Sequence, residues 1–348
     1  VKKFKFLMLS ALLSIGLVGC GQASTDTSSA SQPSENNNQA AAEQKSEGGE
    51  KTPLRVTLPT WTGYGPLFLA KEKGLFEKHG VDVELSIIEG LAERKAALAG
   101  GQVDGMATAL DVQVTMAASG VPMQVVWLLD DSYGGDGIIA KNEIKSVADL
   151  KGKKVAFEHG STSHLLLLTA LKNANLTEND IQMVQMSAGD AGAAFVAGQV
   201  DAAVTWEPWL SKASQADGGI LVTTKDLPGI IVDTVGFHKD VVEKRTEDIQ
   251  AFVAAMAEAM DYWKQNEAES NEIMAKGLKI DLSEFTGTVS GLKFLAKEDN
   301  QRLFGTPENK GSIYQSTQNA IDFYAEQKLI EQAPKVEDIL NPSFVNGL

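Results

Sequence analysis

Two octapeptides constrain this chain more than any other feature. Gly101-Gln102-Val103-Asp104-Gly105-Met106-Ala107-Thr108 and Gly198-Gln199-Val200-Asp201-Ala202-Ala203-Val204-Thr205 agree at five of eight positions. In each copy a polar turn runs into a short apolar strand. Each strand then meets an acidic segment, Leu110-Asp111 in the first and Trp206-Glu207-Pro208-Trp209 in the second. With 32 glycines in 348 residues such an echo can arise by chance, so its weight depends on its surroundings. A chain that uses the same turn and strand twice can build two similar α/β lobes whose strand ends face a shared cleft.

The surroundings repeat too. Leu54–Leu58, Val81–Ile88 and Val103–Ala107 read as strands, with helices over Leu67–Lys73 and Leu91–Ala99, a βαβαβ pattern with short connections. A second unit opens near Ala140. Strands over Lys154–Phe157, Ile181–Gln185 and Ala202–Thr205 alternate with helices over His164–Asn173 and Asp190–Ala197, the first capped by Ser161-Thr162-Ser163. After Ile230–Phe237 the chain turns helical, over Thr246–Asn266, Ser270–Lys276, Leu292–Lys297 and Ile313–Glu326. The crossover back to the first lobe is expected near Thr234–His238. This gives an α/β fold of two lobes, each a sheet flanked by helices, with a ligand in the interlobe cleft. Lobe 1 is discontinuous, 51–137 and 236–348, and lobe 2 is 138–235.

The first 20 residues read as a targeting segment. Lys2, Lys3 and Lys5 form a positive start, Phe6–Leu17 an apolar run, and Leu17-Val18-Gly19-Cys20 closes it with small residues before the single cysteine. This resembles a bacterial lipoprotein signal, in which the cysteine receives the lipid. The apolar run is shorter than the roughly 20 residues a membrane-spanning helix needs. Residues 21–50 offer almost nothing apolar to bury and read as a flexible tether. One cysteine excludes an internal disulfide and argues against a cysteine-based metal cluster. Removing the signal with its three lysines takes the formal net charge from −15 to −18, a balance that disfavours nucleic acid and anionic membrane surfaces as partners.

Motifs for catalysis are missing. There is no Walker loop, Rossmann fingerprint, nucleophile elbow or His-Glu-x-x-His, and His79, His159, His164 and His238 show no metal-ligand spacing. No catalytic residue, metal or cofactor is therefore expected. Acids and rings occur instead where strands end, the position at which open α/β sheets take ligands. Trp61 and Tyr64 follow the first strand and Asp111 follows the first echo. Asp131, Ser132 and Asp136 lie in Asp130-Asp131-Ser132-Tyr133-Gly134-Gly135-Asp136. Glu158, Ser161 and His164 follow another strand, and Trp206 and Glu207 follow the second echo. Each has a plainer reading as well. Asp111 can cap a helix, either of Asp130 and Asp131 can solvate a strand end, Glu207 can mark the break before Pro208, the tryptophans can fill interlobe packing, and His164 can cap its own helix. Asp104 and Asp201 fit turn anchors better than ligand contacts.

From residue 53 to about 345 the chain resembles the solute-binding proteins of nitrate, sulfonate and taurine ABC transporters. The resemblance is carried by Gly65-Pro66-Leu67-Phe68-Leu69-Ala70-Lys71-Glu72-Lys73-Gly74-Leu75-Phe76, by Val147-Ala148-Asp149-Leu150-Lys151-Gly152-Lys153-Lys154-Val155 and by Thr205-Trp206-Glu207-Pro208-Trp209. Within that class, Leu110-Asp111, the Asp130–Asp136 segment and Glu158-His159-Gly160-Ser161-Thr162-Ser163-His164 look like the branch encoded beside urea carboxylase genes, which is tied to guanidine and urea use. The resemblance implies an extracytoplasmic, lipid-anchored monomer that closes on a small solute and is read by a membrane permease. The segment around Trp61 departs from the branch, with Thr62-Gly63-Tyr64 in place of its usual residues.

The residue chemistry bears on the solute separately. A nitrate or sulfonate calls for Arg, Lys, hydroxyls, backbone N–H groups or a helix start. The four arginines, Arg55, Arg94, Arg245 and Arg302, all fall outside the expected ligand loops. Desolvated carboxylates would repel an anion, whereas a planar guanidinium can be bonded in its plane and stacked on tryptophan. The expected solute is thus a small guanidinium-like cation. The alternative is a small anion such as nitrate, taurine or an alkanesulfonate. An enzyme resembling those of pyrimidine-precursor synthesis, and an adhesin with a degenerate cleft, are further rivals.

Overall fold

Each copy of the echoed octapeptide ends a helix and starts an inner strand of its own sheet. The computed structural model describes residues 52–348; the expected signal, the Cys20 lipidation site and the 21–50 tether lie outside the described residues. Eleven strands are formed among these residues: β1 Leu54–Leu58, β2 Val83–Ile87, β3 Gly105–Ala109, β4 Met123–Ser132, β5 Asp136–Lys141, β6 Lys154–Phe157, β7 Gln182–Gln185, β8 Ala202–Trp206, β9 Gly218–Thr223, β10 Val232–His238 and β11 Leu292–Phe294. They build a six-stranded sheet, β11-β4-β10-β3-β1-β2, and a five-stranded sheet, β7-β6-β8-β5-β9.

The two sheets share a core arrangement. In each, three parallel strands run in the order second, first, third, β2-β1-β3 and β7-β6-β8, with an antiparallel strand beside the third. The echo supplies the third strand both times. Gly101 and Gly198 turn the chain out of the helices Leu91–Ala99 and Ala188–Val196 at φ +66° and +73°, a conformation open to glycine at little cost. The echoed aspartates then fasten third strand to first. Asp104 accepts the backbone N–H of Arg55 at 2.9 Å and its guanidinium at 2.7 and 3.0 Å. Asp201 accepts the backbone N–H of Lys154 at 3.0 Å and the Lys141 ammonium at 2.7 Å. Because each carboxylate holds a backbone donor and a cation, Asp104→Ala is expected to cost about 1.5–3 kcal/mol. Urea unfolding would measure it; a loss under 0.5 kcal/mol would show that the strands hold register without the anchor.

All of β3, and β8 as far as Thr205, is buried, as inner strands covered on both faces must be. In the larger lobe the rings of Phe76 and Phe237 both pack on Phe252, with centroids 5.2 Å apart in each pair. Asn300 ties the C-terminal helices to β4. Its Oδ1 accepts the Leu128 N–H at 2.7 Å, and its Nδ2 donates to Leu128, Leu295 and Ala296 carbonyls at 2.9–3.2 Å.

Two expectations are corrected. Leu292–Lys297 is not helical: Leu292–Phe294 pairs with the open edge of β4, which satisfies its backbone there, and the helix starts at Lys297. The crossover from lobe 2 also comes earlier than Thr234–His238. All of β10 lies between β3 and β4 in the first sheet, so the chain leaves that sheet after Ser132 and has returned by Val232. Among the described residues no helix is long and apolar enough to cross a membrane.

Candidate functional site

The carboxyl ends of β1, β3, β6 and β8 converge on one half-open cavity between the sheets. Pro59, Trp61 and Tyr64 reach it from the loop after β1. Leu91 and Arg94 come from the start of the next helix, Thr108, Ala109 and Val112 from β3 and its following helix, and Ile231 and Asp233 from the start of β10. Lobe 2 supplies Asp136, Glu158, Ser161, Thr162 and Trp206. About 30 Å³ is open to a water-sized group, room for a few small atoms. Trp61 and Trp206 approach from opposite lobes and meet edge to face, centroids 6.4 Å apart. Glycines make the fit: a Cβ on Gly63 would lie 1.9 Å from Asp130 Oδ2, and one on Gly135 would lie 2.7 Å from the Trp61 ring.

Acid dominates the chemistry of the walls. Asp136 is buried, accepts the Ser132 hydroxyl at 2.6 Å, and is pushed up to about 7, by burial first and by Asp111 and Glu207 after it. Asp233 is buried and accepts the Tyr64 hydroxyl; burial and the neighbouring Asp136 hold its carboxyl well above the ordinary range. Glu158 takes the Leu91 N–H at 2.9 Å across the cleft and is raised by burial. The helix Leu91–Ala99 follows Gly90 and has no side-chain cap of its own, so the other lobe supplies one. Arg94 is the one basic residue lining the cavity. Its Nη1 donates to the Ile88 and Glu89 carbonyls at 2.8 and 2.6 Å, its Nε is buried without a partner, and burial lowers its pKa.

The expected residues divide. Trp61, Tyr64, Asp136, Glu158, Ser161 and Trp206 line the cavity. Five others do not. Asp111 is buried and engaged on both oxygens, taking the Thr162 hydroxyl at 2.9 Å and the Tyr324 hydroxyl at 2.6 Å; it joins the lobes beside the cavity. Asp131 points to the opposite face of β4 from Asp130, as alternation requires, and faces Lys293 at 3.9 Å. Ser132 is fully buried and positions Asp136. Glu207 turns away to accept the N–H and hydroxyl of Ser211 at 3.0 and 2.9 Å.

His164 is also outside the cavity. It is fully buried, stacks on Phe157, and lies at a pKa of about 4 through burial and the adjacent His159. With His159 and Glu178 it forms a triad of metal-ligand types. However, its Nδ1 accepts the Gly160 N–H at 3.1 Å, which places the neutral ring's proton on Nε2, the atom facing Glu178 at 3.5 Å. A ligating Nε2 would have to give that proton up.

Sequence reasoning missed Arg94 and Asp233. The expectation that no arginine lies at the ligand site is corrected. Arg94 is three residues after Leu91 and so shares its helix face, which opens on the cleft. Asp233 did leave a signal, a lone carboxylate inside the apolar run Ile230–Phe237.

Comparison with known proteins follows the same outline. Residues 47–279 match the NMT1-like family. A putative aliphatic sulfonates-binding protein of Escherichia coli (strain K12) is 34% identical over 239 residues, 66% of this chain and 74% of the relative. The taurine-binding periplasmic protein of the same organism is 25% identical over 271 residues, 75% of this chain and 84% of the relative. The crystal structure of the periplasmic aliphatic sulphonate binding protein SsuA from Escherichia coli superposes with a TM-score of 0.67 at 25% identity, covering 85% of this chain and all of that one.

Proposed function

Because the chain belongs to the NMT1-like family and has the two-lobed periplasmic-binding-protein fold, we propose that it is the solute-binding component of an ABC importer, working outside the cytoplasm, whose solute is a small guanidinium-like cation. The observation that carries the solute is that Asp136, Glu158 and Asp233 line one half-open cavity whose single lining cation, Arg94, already spends Nη1 on backbone carbonyls. A cation entering there can draw these acids into their charged form, whereas an anion would hold them protonated and find only Arg94 as a counter-charge in the lining. The helix starts that would ordinarily draw an anion are also occupied from within. Glu158 takes the Leu91 N–H of Leu91–Ala99, Asp111 sits in the first turn of Leu110–Ala118, and the Ser161 hydroxyl takes the Ser163 N–H of Thr162–Asn173.

The mechanism is closure. Trp61, Tyr64 and Asp233 act from one lobe and Asp136 and Trp206 from the other, so a bound solute bridges them and raises the closed population. The permease reads that form, and no bond in the solute is made or broken. In the same reading the protein is a monomer held to the membrane by a lipid on Cys20.

A second reading is a taurine, alkanesulfonate or nitrate site. The names of the sulfonate- and taurine-binding relatives side with it rather than with guanidinium, and the unpartnered Nε of Arg94 is a place for a sulfonate oxygen. Calorimetric titration with guanidinium, taurine, methanesulfonate and nitrate separates the two. Saturable guanidinium binding, at least 100-fold tighter than any of the anions, is the expected result. Taurine or sulfonate binding that disappears in Arg94→Gln, with none of guanidinium, would transfer the protein to the second reading.

A further inference from the structure

Both carboxyl oxygens of Asp130 are buried without a hydrogen-bond partner, one layer behind the cavity wall. Directly opposite, on the adjacent antiparallel strand, sits Asp233. Facing residues in such a pair have Cβ atoms about 4.5–5.5 Å apart, and like charges there are destabilising. The groups around the pair offer no cation to offset it. From the loop after β1 comes the Tyr64 hydroxyl, already given to Asp233, and the Trp61 indole, whose N–H lies toward Asp130 as a neutral donor outside close hydrogen-bond geometry. From β5 comes Asp136, a third acid, and from the far side of the cavity Arg94, with Nη1 bound to backbone. Asp131, next along β4, faces Lys293 on the other side of the sheet. Two adjacent buried carboxylates without a counterion are too costly to ionise together.

We propose that Asp130 and Asp233 hold one proton between them while the cleft is empty and release it to solvent when a cationic solute enters. The inference rests on the guanidinium reading. One positive charge comes in and one leaves, so the buried cleft keeps its net charge. Asp130 thereby becomes a selectivity residue that need not touch the solute: a neutral molecule of the same shape, such as urea, brings no charge with which to displace the proton. Burial and the mutual repulsion of the acids raise both carboxyls well above the ordinary range, in keeping with a retained proton.

The test is guanidinium titration of the full protein in buffers of differing ionisation enthalpy at pH 6.5. The slope of observed enthalpy against buffer enthalpy counts protons, and between one and two released per solute are expected, one from the pair and a fraction from Asp136, with affinity rising at least tenfold per pH unit while the pair stays protonated. This needs no variant. Asp130→Asn, checked for folding by circular dichroism, should still bind guanidinium but with at least half of the proton release gone. Guanidinium binding with buffer-independent enthalpy overturns the inference and leaves the solute reading standing. Undiminished release in Asp130→Asn also overturns it, by moving the proton to another acid. No guanidinium binding at any pH from 6 to 9 removes the solute reading, and the inference with it.

Discussion

Asp233→Asn is expected to weaken guanidinium binding by roughly 30-fold to several-thousand-fold, the range for removing one partner of a buried, hydrogen-bonded charge pair, about 2–5 kcal/mol. Asp233 lies on the cavity wall, is buried, and is held by the Tyr64 hydroxyl, so its carboxylate is already oriented before a solute arrives. Glu207→Gln is the contrasting variant. Its carboxylate is engaged with Ser211 and lies off the cavity, so affinity should stay within about threefold, a difference of under 0.7 kcal/mol. Calorimetry on the two proteins side by side gives the answer. Wild-type affinity in Asp233→Asn, or a large loss in Glu207→Gln, would mean that the solute sits nearer the Trp206–Trp209 segment than the cavity described above.

The solute-free protein should become less stable as pH rises from 5 to 7.5, the reverse of what salt-bridged carboxylates produce. Asp136 titrates at about 7 in the folded chain, against about 3.9 when unfolded. Between those values the folded state keeps a proton that the unfolded state has lost. Unfolding free energy therefore falls as pH climbs through the window and levels off above about 7. Asp136 alone contributes on the order of 4 kcal/mol across the full window, and Asp130 and Asp233, also raised, act in the same direction. Carboxylates lowered by their partners, such as Asp201 beside Lys141 and Asp180 beside Thr177, lose stabilisation only on the acid side of the ordinary range, below this window. His164, held at about 4, works the other way below about 6.5, so the effect is read as the difference between wild-type and Asp136→Asn melts at pH 5 and 7.5, expected to be several degrees. Millimolar guanidinium, far below denaturing levels, should recover most of the loss at pH 7.5. A flat or rising melting temperature that is the same in Asp136→Asn would sink the idea that the cleft stores protonated acid.

How much of this was legible in the chain depends on the distance over which each residue finds its partner. The echoed turns were readable because their aspartates act locally, on strands whose alternation and apolar content show in sequence. Placing acids, rings and a hydroxyl beside strand ends was readable for the same reason, and six of those residues do line one cavity. Choosing among neighbouring acids was harder. Alternation says that Asp130 and Asp131 point opposite ways but not which of them faces inward, and that is decided by β10 packing on β4 from 100 residues downstream. Asp111 is spoken for by Tyr324, 213 positions away, a pairing no local pattern contains. Glu207 was more accessible to reasoning, since Ser211 follows four residues later in the short helix Trp209–Lys212, whose start Glu207 precedes by two residues. Arg94 was overlooked because the expected ligand loops stopped at strand ends, although the helix after β2 begins at the same rim.

The cap that Glu158 lends to Leu91 has a kinetic meaning. The start of the Leu91–Ala99 helix depends for one of its acceptors on the opposite lobe. When the lobes part, that amide turns to solvent and becomes free to trade its hydrogen for deuterium; when they meet again it is sheltered. Under the proposed closure, the exchange of a single backbone hydrogen therefore reports the share of time the cleft stands open, whichever solute holds it shut.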